Sequence, residues 1–421
     1  MQILQHVRTQ HPIGQGFFHS GEVLVGRAAF RYVVDCGSTQ PKVVRREVTD
    51  YLELMPDGKR LSALFLSHID NDHVSGLDEL LVNVSTTDAF LPLLTPAARL
   101  ALAAHAIEQG RLSGTHLDFL ADPGRWLGER GVGRIFFVRG GPPEGDGVVP
   151  PTPTPNQESD VTSIEIDDRR LIEPPTSNDE PGSRQARLRG ARRRSFHHNT
   201  FEISHLRPIP LRTRGGALLD WVFIAFVHPD ESALQRFDRA VRREFSAIPQ
   251  TAVQFRSWVF ELVRSRANRR RLRGCYHVAR IDVNAMSMSL YSGPSGTVLY
   301  DVRFALRRVD SEYRRSKDQR VGWLGTGDAD LRRDLYRGEF EGHFARVLGN
   351  VGTFTLPHHG SIHNFHPTLL ELGPQYYVVS SRTGNRHHPH RDVRRALRWR
   401  QFLHVTEGLE TRVDETVELR R

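Results

Sequence analysis

The chain has 421 residues, a net charge of +9, 38% hydrophobic residues and 9% aromatics. That is enough to bury a core, but the shortfall in apolar residues predicts an unfolded portion, and no apolar run approaches the roughly 20 residues of a membrane span. Two cysteines, Cys36 and Cys275, exclude a disulfide scaffold and a cysteine-built zinc finger, and the start MQILQHVRTQHPIGQG has no apolar segment or cleavage site of a secretory leader, so a cytoplasmic protein is expected.

In chain order, apolar stretches at 22–26 and 30–35 predict a β-hairpin ending in DCG. PKVVRREVTDYLEL has helical periodicity, and ALFLS is a short buried strand that carries His68 at its C-terminal end. TPAARLALAAHAIEQG opens with Thr-Pro, a cap and first-turn pair, and is a helix; RIFFV at 134–138 is a strand. After Gly140 the composition turns to Pro, Gly and then Arg without periodicity. A largely flexible insertion is expected there, taken as 141–215 within a single domain of 1–421. LLDWVFIAFVHP is a buried strand, followed by helices at 231–245 and 250–267. Strands MSMSLYS, VLYDVRF and GWLGTG, a helix near 329–347, strand VGTFTLP, a helix near 366–372 and strand YYVVSS follow, and DVRRALRWRQFL closes the chain as a helix. This α/β alternation predicts two mixed sheets covered by helices.

Basic residues cluster at 184–194, 264–273, 314–315 and 394–400. Arginine suits a polyanionic partner, because guanidinium makes forked bonds to phosphate and displaces counterions. A solvated arginine-rich surface has the same appearance in sequence.

The densest chemistry lies in LFLSHIDNDHVSGLDEL, where His68, Asp70, Asp72 and His73 form H-x-D-x-D-H. On a loop after a strand, alternate residues converge on one point and Asp72 with His73 can face a neighbouring one, a geometry suited to two adjacent metal ions. Downstream, WLGTGDAD presents Asp328 and TLPHHGS presents His358 and His359, each at a strand end, where open α/β sheets place their sites.

SHIDNDHVSGL, TGD and HHGS in this order resemble the metallo-β-lactamase fold superfamily, and most closely the hydrolase domain of the competence protein ComEC and its soluble relatives. IGQG at 13–16, VVDCG, FIAFVHP, NAMSMSL and NRHHPH at 385–390 carry the likeness across the chain except about 141–215. It implies an αββα sandwich with a dinuclear centre between the sheets. His68 and Asp70 would serve one ion, Asp72 and His73 the other, and Asp328 would bridge them; His359, or else His358, would complete the site. Asp72, Asp328 and His359 carry the catalytic role in this reading. Asp35, Asn284, His388 and His390 are expected beside the ligands, orienting them or touching substrate, and Ser67 and Ser361 are read as structural. The superfamily's further histidine has five candidates here, His197, His198, His205, His228 and His277. Aspartate at position 70 enriches the site in oxygen, which leaves two divalent ions, zinc or manganese, both open.

The implied chemistry is metal-dependent hydrolysis, two ions about 4 Å apart lowering the pKa of a shared water. With the basic runs, it predicts a nuclease or phosphodiesterase, acting on single strands, with Arg192, Arg193, Arg194, Arg269, Arg270 and Arg271 on the nucleic acid. The basic insertion is also a candidate contact for a protein partner. A small-molecule esterase of the same fold and a catalytically silent nucleic-acid-binding subunit are the alternatives.

Overall fold

The computed structural model describes residues 3–420, apart from 57, 113, 142–146, 155–160, 172–186, 189–190, 194–198, 229, 250, 297–300, 309–310 and 317–319. Among these residues twelve strands form one sheet and eight a second. The larger sheet runs from Ser311–Ser316 and Asp301–Arg308 through Val413–Arg420, Ile3–Gln10, Gly16–Val25, Ala28–Ser38, Arg60–Phe65, Ser85–Pro92 and Arg134–Arg139 to Thr200–Ser204, Ala191–Arg193 and Arg187–Leu188. The smaller runs Gln401–Val405, Tyr376–Ser380, Val351–Thr355, Gly322–Gly325, Met288–Gly293, Leu218–Val227, Ile209–Thr213, Ile164–Ile166.

The two-residue period of the strands sorts the core into layers. In Ala28–Ser38, Phe30, Tyr32 and Val34 face the second sheet, while Val33 and Cys36 face helices. Phe65 stacks between Phe90 and the inner face, with Phe136 next in line at 4.7 Å from Phe90, and Phe223 of the other sheet closes on Phe65 at 4.9 Å. Each such buried ring contributes about 1.5–3 kcal/mol. Helices Pro41–Leu54, Pro96–Glu108, Glu231–Phe245, Ala252–Arg264 and Arg266–Ala279 cover the large sheet. Asp334–Phe344 and Arg391–Ala396 cover the small one, giving helix, sheet, sheet, helix. This mixed α/β arrangement is consistent with a sandwich of the metallo-β-lactamase type.

Helix Pro41–Leu54 begins at a proline and buries Val44, Val48 and Leu52, four residues apart on one face. Helix Pro96–Glu108 is capped by Thr95, whose hydroxyl accepts from Ala98 N at 3.2 Å. The expected helix 250–267 is two helices broken at Ser265, which caps the second by accepting from Asn268 N. The expected closing helix stops at Ala396; Gln401–Val405 pairs with Tyr376–Ser380 instead, so sheet pairing overrides the helix propensity of that run. The segment near 366–372 is a 3₁₀ turn, Pro367–Leu372.

Strands Ile3–Gln10 and Val413–Arg420 have no counterpart among the expected elements, and the reason is a buried ion pair. Arg8 faces Glu415 across the ladder, and both are almost fully buried, with Thr353 and the Val321 carbonyl completing the network. Charges that neutralise each other inside a sheet erase the apolar alternation by which a strand is recognised. Parts of the 141–215 insertion also belong to the sheets: Ile164–Ile166 and Ile209–Thr213 extend the small one, while Arg187–Leu188, Ala191–Arg193 and Thr200–Ser204 extend the large one. No helix among the described residues is long and apolar enough to cross a membrane.

Candidate metal centre

Strand Arg60–Phe65 ends at the loop that carries His68 and Asp70, and the short helix Asn71–Val74 holds Asp72 and His73. Across the sandwich, Gly322–Gly325 leads to Asp328, and Val351–Thr355 to His358 and His359. His68 Nε2 lies 3.6 Å from Asp328 Oδ2, His73 Nε2 3.4 Å from Asp328 Oδ1, and His358 Nε2 3.6 Å from Asp328 Oδ2. His359 Nε2 is 3.5 Å from Asp72 Oδ2. Two groups result, His68–His73–Asp328 and Asp72–His73–His359, each with candidate ligand atoms within 4.8 Å of one another.

The other ring nitrogens are already committed, which fixes what Nε2 can do. Ser67 donates to Asp35 Oδ2, so its oxygen accepts from His68 Nδ1 at 2.9 Å. His73 Nδ1 donates to Asp35 Oδ2 at 2.8 Å, and His359 Nδ1 to the Ser380 carbonyl at 2.9 Å. With Nδ1 carrying the hydrogen, each Nε2 presents a lone pair, and the buried Nε2 atoms of His68, His73 and His359 have no hydrogen-bond partner. Buried, unpartnered imidazole nitrogens converging with carboxylates fit a divalent cation.

Electrostatics agree. Burial opposes the charge on Asp328, but His358, His68 and His73 outweigh it and hold the carboxyl well below its usual range. Burial would likewise raise Asp72, and the neighbouring His359 and His73 hold it low. His73 is lowered by burial yet held well above its usual value by Asp328 and Asp35; a proton and a cation compete for that Nε2. Asp70 is pushed up to about 7, first by burial and then by the neighbouring charges of Asp72 and Asp328. Such crowding of carboxylates is what a bound cation relieves.

The backbone is strained at this point. Six described non-glycine residues have positive φ, and three belong to the centre: Asp35 (53°), His358 (46°) and His359 (56°). Each costs on the order of 1–3 kcal/mol, and such strain clusters at functional sites. Gly16, at φ 145°, lies against the ligand loop: a Cβ there would meet the Asp72 carbonyl oxygen at 2.6 Å.

With this geometry in place, the comparison with known families is direct. Residues 23–172 match the model of the metallo-beta-lactamase superfamily. Among curated proteins none matches. A metallo-beta-lactamase superfamily domain implies a metal-dependent hydrolase, and the His/Asp groups are able to hold a metal. The match includes the H-x-D-x-D-H loop and ends before Asp328, His358 and His359, which the fold brings beside that loop.

Other candidates fall in varied places. Asp70 belongs to neither group of three, and His73 belongs to both. Asn284 Nδ2 lies 3.2 Å from His358 Nδ1, and the His388 ring is 5.3 Å from His358 and 5.9 Å from His359. Burial, then the charges of His359 and His358, lower His388 to about 4. His390 serves the backbone instead, its Nδ1 accepting from Asp392 N to cap Arg391–Ala396. Of the five candidate further histidines, none of the described ones joins either group. His205 accepts from Val227 N in the core, His228 pairs with Glu339, and exposed His277 pairs with Glu108. His197, His198 and Arg194 lie outside the described residues. Arg192 and Arg193 lie on the strand next to the end of the large sheet, between Thr200–Ser204 and Arg187–Leu188; Arg269 bonds the Val263 carbonyl, Arg271 pairs with Glu244, and Arg270 is exposed. One participant went unread in the sequence: buried Asn364 accepts from His358 Nδ1 at 3.0 Å and donates to the Asp328 carbonyl at 3.0 Å. A lone Asn in a turn gives no signal of this.

Proposed function

We propose that this protein is a metal-dependent phosphodiesterase that cleaves nucleic acid, using divalent ions, zinc or manganese, held by His68, Asp72, His73, Asp328, His359 and His358. The observation that carries the reading is a buried imidazole–carboxylate centre beside an arginine-rich surface. On helix Arg266–Ala279, Arg266, Arg270 and Arg273 are exposed at spacings of four and three, one face of the helix. That helix packs on Pro96–Glu108, where Tyr276 meets His105 at 3.2 Å, and the turn after it brings Asn284 to His358. The likeness to the ComEC hydrolase domain points the same way.

Divalent ions at such a centre supply a Lewis acid for phosphoryl oxygens and lower the pKa of water. The chain's own residues do the rest. Asp35 and Ser67 set the tautomers of His68 and His73, the Ser380 carbonyl sets that of His359, and Asn364 holds both His358 and the Asp328 backbone. Asp328 presents its two oxygens to three imidazoles, two from the 68–73 segment and one from the turn at His358. Exposed arginines bind phosphate and orient the strand.

The test is incubation of labelled single- and double-stranded DNA and RNA with Mn²⁺, Mg²⁺ or Zn²⁺, comparing wild type with Asp72→Ala and Asp328→Asn. Metal-dependent cleavage lost in both variants is expected. Turnover of a small phosphodiester alone, with every nucleic acid untouched, would assign the centre to a small-molecule hydrolase.

A further inference from the structure

The basic run nearest the chain's end, in the segment 391–400, has no role in this reading. It contains five arginines, Arg391, Arg394, Arg395, Arg398 and Arg400, and one acid, Asp392, a balance of +5 − 1 = +4. All five arginines are at least partly exposed. Trp399 stands among them at 83% exposure, the most exposed large hydrophobic side chain among the described residues, with the Arg398 guanidinium 5.2 Å from its ring centre.

We propose that Trp399 and these arginines form a docking platform for single-stranded nucleic acid, with an unpaired base stacked on the indole and the adjoining phosphates held by guanidinium groups. Sequence-tolerant recognition of single strands combines these two elements, a base-stacking aromatic and a positive track for the backbone. The proposal deepens the phosphodiesterase reading and takes its biological use from it.

Three features select this occupant. The platform is rigidly held: Val393 and Leu397 are buried under the small sheet, and Gln401–Val405 pairs directly with Tyr376–Ser380. It is also continuous with the candidate centre. Pro389 packs so closely on Gly360 that a Cβ on that glycine would lie 2.7 Å from the Pro389 Cβ, and His390 N donates to the Gly360 carbonyl at 3.0 Å. Two residues earlier, His388 faces His358 and His359. Helix Arg391–Ala396 begins at that contact and, with six residues, spans about 9 Å, so a strand lying along it leads from Trp399 towards the centre. Finally, the charge complements phosphate, whereas a membrane-surface helix needs a broad outward apolar face; here the apolar residues Val393 and Leu397 are buried and Trp399 stands alone among arginines.

Binding is measured in chelator, so that no strand is cut, by fluorescence anisotropy of a labelled oligothymidylate and of a duplex of equal length. Trp399→Ala should weaken oligothymidylate binding by about 5- to 100-fold, the range for loss of one stacked base, and leave duplex binding nearly unchanged. Trp399→Phe should keep most of the affinity. Arg395→Gln with Arg398→Gln should weaken both ligands and lower the salt slope by about two phosphate contacts. Because Trp399 is exposed, the variants should melt with wild type, which circular dichroism checks. Unchanged oligothymidylate binding in Trp399→Ala, or an equal loss on duplex, overturns the proposal. So does Trp399-dependent binding to phosphatidylserine vesicles with none to oligothymidylate. The two readings fail separately: wild type that binds through Trp399 but cuts no nucleic acid sinks only the phosphodiesterase, and wild type that cuts while Trp399→Ala binds normally sinks only the platform.

Discussion

His205 and His343 lie 4.8 Å apart behind the small sheet, closer than His73 and His359 at 5.6 Å, and all four are buried. Their surroundings separate the pairs. His205 accepts from Val227 N, His343 bonds the Ala225 carbonyl, and Phe226 packs on both rings. Burial is the largest influence on each and lowers them to about 4 and about 3. At the candidate centre the same burial is opposed by Asp328 and Asp35, and His73 is raised instead. Burying an imidazole makes it a neutral core residue; bringing carboxylates to its free nitrogen makes a place for a cation.

Substitution on either side of this contrast should behave differently. Asp328→Asn should cut both metal content and hydrolysis by more than about 100-fold, beyond what groups outside a ligand set typically cost. Hydrolysis of nucleic acid by wild type with full activity in Asp328→Asn would break the contrast. Asp35→Asn should leave the fold intact and lower metal affinity or turnover by about 10- to 100-fold, since Asp35 acts through His73 and Ser67. Titration of binding by calorimetry measures it.

The core pair should instead reveal itself through pH. The unfolded chain protonates these histidines below about pH 6.5, whereas the folded one resists until about pH 4 and 3. Unfolding therefore takes up protons in that window. Stability present at neutral pH is lost as pH falls from about 6.5 towards 4, by up to ~1.4 kcal/mol per pH unit for each histidine. The double variant His205→Phe/His343→Phe should show a shallower acid slope in urea unfolding, and its metal content should stay that of wild type. An unchanged slope would count against the account of this pair. The smallest effect is expected from Arg270→Gln, which should reduce the salt dependence of nucleic-acid binding by about one phosphate contact and leave metal binding alone.

Much of the centre was legible because its residues are concentrated at strand ends. The loop 68–73, Asp328 and the His358–His359 pair stand out as polar residues directly after apolar strands. Their partition was less legible. The resemblance assigns His68 with Asp70 to one ion and Asp72 with His73 to the other, and the turn of helix Asn71–Val74 puts His73 beside both His68 and His359. Of the fold, helices with a clean apolar face, such as Pro41–Leu54, were readable to the residue. Strands that bury charge, Ile3–Gln10 and Val413–Arg420, were not, because Arg8 and Glu415 compensate one another only once the chain ends meet. Asn364 was hidden for a similar reason: its two bonds reach residues brought near by the fold.

The most direct test is elemental analysis of purified protein. Wild type and His205→Phe should carry the same amount of bound divalent metal, and Asp328→Asn should have lost it. Wild type free of metal after saturation with Zn²⁺ or Mn²⁺, or Asp328→Asn retaining as much as wild type, would contradict the account.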